Sequence, residues 1–182
     1  MRIEEKLLVA LPNIKADVFH KSVVYLHQYD SEGAIGFILN KKYPTSKSKI
    51  IANQLNIPDW NKIYYGGPVQ TTSGFVLHSA DYHGDTTNRL YDDVYFTPGN
   101  HILTDLQQGR GPERFMIVLG HAGWGAGQLA AELSGQYPYK SSNWVITEPT
   151  PEYFYGQMDT VSAWDKAIRH AAKETSNFLL DI

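Results

Sequence analysis

Apolar positions along this chain fall into short runs that turn-forming residues interrupt. The first run, residues 7–11, ends at Pro12, a residue that closes strands because it has no N–H to donate. The run at 115–119 is the most apolar of the chain, which is typical of a central strand buried on both faces. Runs of this kind predict eight strands. They span residues 6–11, 22–27, 34–39, 62–65, 74–78, 94–96, 115–119 and 143–147.

Four segments instead follow the period of an α-helix. In residues 45–56, Ile51 and Leu55 lie four positions apart and share one face. Near the C-terminus, Val161, Trp164 and Ile168 form an apolar stripe at helical spacing. The predicted helices span residues 45–56, the segment between a cap at Asn100 and Gly109, residues 127–133 and residues 160–174.

The order of these elements favours an α+β fold. Strands 22–27 and 34–39 are separated only by a turn-forming segment, so they predict a β-hairpin. A doubly wound parallel fold needs a helix between successive strands, and that alternation is missing here. We therefore predict a single domain over residues 1–182, built on a mixed and mostly antiparallel sheet.

The composition excludes several classes of chemistry. The 182 residues contain no cysteine, so disulfides, thiol nucleophiles and cysteine-ligated metal centres are excluded. The formal net charge of −3 provides no global attraction to nucleic acid. Glu4 and Glu5 stand where a secretory signal would be basic, and no apolar window is long enough to span a bilayer. We expect a cytoplasmic protein with no membrane association.

Glycine concentrates in two short motifs. Residues 120–129 (GHAGWGAGQL) carry four glycines directly after the most apolar run, and they open a predicted helix. Glycine lets a ligand approach the backbone, and a helix N-terminus attracts anions. Dinucleotide and P-loop fingerprints are absent, so an anion site and a tight turn filled by Trp124 are equally compatible with this motif. The second motif, Gly66-Gly67-Pro68, predicts a sharp corner after a strand.

Polar residues in the longer motif are candidates for acid–base chemistry. His121 lies among the glycines, where a histidine could titrate near neutral pH and contact a ligand. Gln128 and Glu132 are four residues apart and share a helix face. Glu132 is therefore either a base in a pocket or part of a polar helix edge.

Histidine and acidic side chains also crowd the predicted surface loop at 79–90. The residues concerned are His78, Asp81, His83 and Asp85. The two histidines are five positions apart, which matches no pair of metal ligands on a helix face. We predict a solvated loop, with no metal and no cofactor.

Lysines form a local basic patch beside Tyr43. The patch contains Lys41, Lys42, Lys47 and Lys49. No helix-turn-helix spacing accompanies it, so we interpret it as a solvated face and do not expect DNA binding.

Together these segments resemble the YqgE/AlgH family of small bacterial proteins. The resemblance covers nearly the whole chain, with its motifs in a fixed order. They are LVALP at 8–12, SVV at 22–24, GAIGFILN at 33–40, GGPV at 66–69, FVLH at 75–78 and GHAGWGAGQL at 120–129, followed by Glu132, Trp144 and Trp164. It implies one α+β domain whose bifurcated sheet curls into a pseudo-barrel with flanking helices.

The chain departs from the family pattern at a few places. His121 stands where an aromatic residue is usual, Ala126 where proline is usual, and Ala130 where glutamate is usual. Residues 134–142 look like an insertion before Trp144. If the glutamate that Ala130 replaces serves the family's chemistry, this chain lacks that chemistry.

Three functional hypotheses follow. The first is a protein that binds a small anionic ligand or a protein partner, because glycines and polar residues at strand ends often form such sites. The second is a hydrolase or transferase that uses His121 or Glu132 as its acid–base group. The third is a transcriptional regulator, a label carried by the family. The predicted site comprises Asn40, Gly66, Gly67, Pro68, His121, Gly123, Trp124, Gly127, Gln128 and Glu132.

Overall fold

The structure is a computed structural model that describes residues 3–15 and 18–180. Within these residues it contains nine strands and four α-helices. The strands are β1 (Leu7–Ala10), β2 (Val23–Asp30), β3 (Gly33–Ile38), β4 (Ile63–Tyr65), β5 (Val69–Ser79), β6 (Asn88–Tyr91), β7 (Val94–Pro98), β8 (Phe115–Gly125) and β9 (Trp144–Thr147). The helices are α1 (Thr45–Gln54), α2 (Gly99–Gln107), α3 (Gln128–Ser134) and α4 (Thr160–Leu180).

One sheet contains all nine strands, and it forks along β8. The strands follow the order β6-β7-β5-β8-β3-β2-β1-β9, and β4 pairs with β8 outside this path. The first half of β8 lies between antiparallel β5 and parallel β4, whereas its second half pairs with antiparallel β3. The sheet curls into a half-barrel, so the predicted α+β fold with a mixed, mostly antiparallel sheet is confirmed.

The apolar runs form strands that are covered on both faces. In β1, Leu7 and Val9 pack into one core cluster while Leu8 and Ala10 pack into another. This two-sided burial explains why the run shows no alternation of polar and apolar residues. Of the predicted stripe in α4, Trp164 and Ile168 pack against the first cluster, whereas Val161 is exposed. On another part of the sheet, α1 and α2 cover a third cluster.

Three sequence predictions were wrong in their boundaries. Asn100, predicted to cap a helix, lies inside α2, which begins at Gly99 after Pro98. The strand predicted at 115–119 is longer than expected, because β8 continues to Gly125 and pairs with β3 over its last four residues. Its alternation of buried Ala122 and Trp124 with exposed Gly123 is a strand pattern that the glycine content concealed. The predicted loop 79–90 likewise contains the start of β6, a polar edge strand with little apolar signal.

Candidate functional site

The two glycine motifs meet, backbone against backbone. The N–H of Gly66 donates to the carbonyl of Leu119 at 2.8 Å, and the carbonyl of Gly66 accepts from the N–H of Ile38 at 2.9 Å. A methyl group on Gly67 would lie 2.1 Å from the carbonyl carbon of His121, and one on Gly120 would lie 2.3 Å from the carbonyl oxygen of Gly67. We call this contact the glycine crossing. Only glycine allows so close an approach.

The other residues of the two motifs lie around the crossing in different settings. His121 is half-buried in β8, where it pairs with Val69 of β5. Pro68 and Gly123 are exposed. Gly127 adopts a left-handed conformation with φ of 72° and caps α3, so the prediction that the motif opens a helix is confirmed. α3 is only seven residues long.

The carboxylate of Glu132 is the most heavily hydrogen-bonded of the predicted site residues. Glu132 is 8% exposed. One carboxylate oxygen accepts from the indole N–H groups of Trp124 at 3.2 Å and Trp144 at 2.7 Å. The other accepts from the amide of Gln128 at 2.9 Å and the hydroxyl of Tyr139 at 3.0 Å. Four donors occupy the four lone-pair positions of a carboxylate, so this side chain has its acceptor capacity filled.

Aromatic rings pack around the Glu132 carboxylate. The rings of Trp124 and Trp144 meet edge to face with centroids 6.0 Å apart, and Phe19 packs against both. Tyr139 belongs to the segment interpreted as an insertion, so the carboxylate anchors that segment to β8 and β9. Burial and the hydrogen bond to Glu132 raise the pKa of Tyr139 above its ordinary value. We call the carboxylate and its four donors the Glu132 cluster.

Asn40 uses its amide to tie strand ends to a helix. Its side-chain oxygen accepts from the N–H of Val23 at 2.8 Å. Its amide nitrogen donates to the carbonyls of Lys21 and Thr160, each at 2.9 Å. Because Thr160 begins α4, these bonds fix the start of that helix against the end of β3. Asn40 takes part in neither the glycine crossing nor the Glu132 cluster.

A bulge in β5 lies opposite the glycine crossing. Val69 pairs with His121 and Gly74 pairs with Leu119, so four residues of β5 face the single residue Gly120. The four bulged residues, 70–73, are all exposed. Such a bulge bends the strand and interrupts its pairing locally. Thr72 and Ser73 of the bulge form part of the wall of a cavity.

This cavity, which we call the α1–α2 groove, has a volume of about 490 Å³. Its floor is apolar and includes Val76 and Ile117, which are 2% and 4% exposed. None of its lining residues carries a charge, and polar groups come from the bulge and from the first turn of α2. The lining residues are Leu55, Ile57, Thr72, Ser73, Gly74, Val76, Gly99, Asn100, Leu103, Leu106, Ile117 and Leu119.

His78, at the end of β5, belongs to a closed polar network. The ring of His78 is fully buried, with Nδ1 2.8 Å from the carbonyl of Ser79 and Nε2 2.9 Å from the hydroxyl of Thr97. A carbonyl can only accept, so Nδ1 carries the proton and Nε2 accepts. Burial lowers the pKa of His78. Across the described part of the chain, no three histidine or acidic side chains are arranged to hold a metal ion.

The comparison with protein families decides what kind of protein carries these features. A family described as AlgH-like matches residues 7–176. The chain belongs to the AlgH-like family. The resemblance seen in the sequence motifs is therefore confirmed. A UPF0301 protein of Ruegeria pomeroyi is 33% identical over 176 residues, which cover 93% of this chain and 91% of that one. A UPF0301 protein of Rhodospirillum rubrum is 38% identical over 133 residues, covering 70% and 69%.

Solved structures of similar proteins share the fold of this AlgH-like chain. The solution structure of the AlgH protein from Pseudomonas aeruginosa superposes with a TM-score of 0.68 at 28% identity, covering 92% of this chain and 88% of that one. A crystal structure of a protein from Corynebacterium diphtheriae gives a TM-score of 0.69 at 19% identity, covering 93% and 87%, a likeness of fold alone. Family membership assigns no reaction to the chain.

The structure thus divides the predicted site residues of this AlgH-like protein into three groups. Gly66, Gly67 and His121 lie at the glycine crossing. Trp124, Gln128 and Glu132 belong to the Glu132 cluster. The third group lies outside both and contains Asn40 and the exposed residues Pro68, Gly123 and Gly127. None of the predicted residues lines the α1–α2 groove. Sequence reasoning missed the groove because its walls come from four separate segments. Among the residues that the structure describes, no helix is both long and apolar enough to cross a membrane.

Proposed function

We propose that this AlgH-like protein is a binding protein that takes a small, uncharged and largely apolar ligand in the α1–α2 groove. The observation that carries the proposal is a concavity of about 490 Å³ with an apolar floor that no described segment covers. Ligand sites are typically concave, apolar and of this size, with a few polar groups that orient the ligand. We propose a cytoplasmic setting for this activity.

The chemistry of the lining indicates the class of ligand. Leu103 and Leu106 of α2 line the groove together with Ile117 and Leu119 of β8, and they offer an aliphatic surface. The hydroxyls of the bulge residues and the Asn100 amide supply hydrogen bonds at the rim. An ionised ligand would lose its hydration there without gaining a partner of opposite charge. A neutral molecule with one or two polar groups therefore fits best.

An anionic ligand at the glycine motifs remains a prediction with less support. The motifs contact each other so closely that a methyl group on Gly67 would overlap His121. Backbone atoms, rather than open space, lie where the two motifs meet.

The hydrolase or transferase hypothesis also has less support. The Glu132 carboxylate already accepts four hydrogen bonds from protein groups, so it has no free position for a substrate proton. Regulation by direct DNA binding gains nothing from a net charge of −3.

A pair of matched tryptophan variants tests the groove. Ser73 and Thr71 are both exposed residues of the same bulge, but only Ser73 lines the groove. We expect Ser73→Trp to fill the mouth of the groove and Thr71→Trp to leave it open. The probe is a library of neutral aromatic and aliphatic amides and alcohols, screened by ligand-observed NMR. Fragments that bind the natural chain and the Thr71 variant, but not the Ser73 variant, support the proposal. Equal binding by all three proteins contradicts it.

A further inference from the structure

A second, smaller cavity lies next to the α1–α2 groove. It has a volume of about 240 Å³, and its walls come from residues that follow α1 and residues that follow α2. Ile57 and Leu106 line this cavity as well as the groove. Because the two cavities share these side chains, a ligand long enough to pass them can occupy both. We call the smaller one the distal cavity.

The two shared side chains do not stand up between the cavities. A ridge that divided two open cavities would be exposed to solvent, but Ile57 is 6% and Leu106 is 8% exposed. Beside them, the side-chain amide of Gln107 donates to the carbonyl of Leu55 at 2.8 Å, which ties the ends of α2 and α1 together. The boundary is therefore low, and its aliphatic side chains continue the apolar floor from one cavity to the other.

The distal cavity is suited to the end of an aliphatic chain. Pro58, Pro112 and Phe115 present apolar surface to it. Gly109 and Gly111 also line it, and they have no side chains to fill it. A methyl group on Gly109 would meet no described atom within 4 Å. Open space bounded by apolar groups is what a hydrocarbon chain needs in order to leave water.

The lining of the distal cavity also contains one charge of each sign. The carboxylate of Asp59 accepts from the backbone N–H of Asn61 at 3.0 Å. The ammonium of Lys62 lies 5.3 Å from the centre of the Phe115 ring. The two charges sum to zero, so the lining favours neither an anion nor a cation. An uncharged chain end therefore matches it best.

Hydrogen-bonding groups lie at the opposite end of the groove. Asn100 lies at the start of α2 and Leu106 near its end, so the two are about 9 Å apart along the helix axis. Gly99 and Asn100 both line the groove, and no described side chain caps this helix start. The N–H groups of a first turn have no acceptor within the helix, so they suit an oxygen atom of a ligand.

We propose that the ligand of the α1–α2 groove is a linear, uncharged aliphatic molecule with one terminal oxygen, whose chain extends across Ile57 and Leu106 into the distal cavity. The proposal rests on the function proposed for the groove and specifies its class of ligand. The oxygen lies at the start of α2, and the end of the chain lies among Pro58, Pro112 and Phe115. A compact fragment fills the groove alone, whereas a chain longer than about 9 Å reaches past Leu106.

NMR titration with two straight-chain alcohols, n-butanol and n-decanol, tests the proposal. We expect n-butanol to shift the methyl signals of Leu103 and Leu119, which line the groove and not the distal cavity. It should leave the amide signals of Gly109 and Gly111, which line the distal cavity and not the groove. The longer alcohol should shift both sets. Each CH2 group that the protein buries should raise the affinity about fourfold.

Matched tryptophan variants test where the chain lies. Lys62 lines the distal cavity, whereas its neighbour Asn61 is exposed and does not line it. Lys62→Trp should fill the distal cavity, lower the affinity for n-decanol by about tenfold or more and leave the affinity for n-butanol unchanged. Asn61→Trp should change neither affinity.

The outcomes separate this proposal from the function proposed for the groove. If n-butanol shifts no methyl signal of the groove, both proposals fail. If n-decanol shifts only the groove methyls, or if the two tryptophan variants have equal effects, the groove binds ligands but the extended chain is contradicted. If n-butanol by itself shifts the amides of Gly109 and Gly111, the distal cavity is a separate site, and the extended chain is contradicted as well.

Discussion

The glycine crossing and the α1–α2 groove lie on the two sides of one irregularity in the sheet, yet they are opposite in character. At the crossing, Gly67 and Gly120 bring two stretches of backbone into direct contact. In the groove, the bulge opposite Gly120 leaves a cavity of about 490 Å³. At the crossing, glycines let two stretches of backbone touch, whereas aliphatic side chains make up most of the lining of the groove.

The same contrast separates the polar residues of the two regions. Outside the groove, Glu132 and Asn40 have protein partners for their side-chain polar atoms. At the rim of the groove, Thr72 and Ser73 are exposed to solvent. A buried polar group with all its partners present stabilises one arrangement of the chain, whereas an exposed group beside an apolar floor is free to bind. The predictions below test this distinction.

The largest effect is expected at the crossing. Gly67→Ala places a methyl group 2.1 Å from a backbone carbon at a φ of 148°, so we expect a loss of folding or a destabilisation on the order of 4 kcal/mol. The control is Gly123→Ala, where the nearest described atom lies 3.9 Å away and the change should stay within about 0.5 kcal/mol. Chemical denaturation measures both. Equal stability of the two variants would show that the crossing is not a close contact.

A smaller but substantial effect is expected at the Glu132 cluster. Glu132→Ala leaves the N–H groups of Trp124 and Trp144 and the hydroxyl of Tyr139 without their acceptor, which should cost about 3 kcal/mol. The exposed Glu113 provides a control, since Glu113→Ala removes a carboxylate from the surface. Thermal unfolding and indole fluorescence report the result. A Glu132 variant as stable as the Glu113 variant would contradict the anchoring role.

The smallest effect concerns pH and the closed network around His78. Because burial lowers the pKa of His78 in the folded state, the folded chain disfavours its protonated form. The neutral, buried His78 contributes fully to folding stability at pH values above the ordinary histidine pKa. That contribution is lost as the pH falls below this value toward the lowered pKa of the folded state. We expect the melting temperature to fall by a few degrees on acidification, and less so in His78→Asn. The exposed His83 provides the control. If His83→Asn reduces the pH dependence of the melting temperature as much as His78→Asn does, the assignment of this dependence to His78 is contradicted.

Much of the fold could be predicted from the sequence, but the groove could not. The apolar runs located most strands because residues such as Leu7 and Leu8 are buried on opposite faces of one strand. Glycine hid the second half of β8, since a residue without a side chain contributes nothing to an apolar pattern. The register shift between Val69 and Gly74 is set by pairing with a strand some fifty residues away, so it leaves no local signal.

The candidate site followed the same division. The sequence predicts a ligand site at the two glycine motifs, and in the structure the motifs contact each other. Their meeting serves backbone packing, because a methyl group on Gly66 would lie 2.3 Å from the Gly120 carbonyl oxygen. Glu132 and its partners were recognised as a polar pair with Gln128, but the two tryptophans and Tyr139 lie at sequence distances that helix periodicity does not connect. Long-range contacts of this kind require the folded structure.

Methyl and amide NMR during titration with the neutral fragments tests the central claim most directly. We predict that the fragments bind in the α1–α2 groove and not at the glycine crossing. The methyl signals of Ile57, Leu103 and Leu119 then shift with increasing fragment concentration. The amide signals of Gly66, Gly67 and residues 120–128 stay in place. Shifts confined to the glycine segments, with the groove methyls unchanged, would contradict the claim.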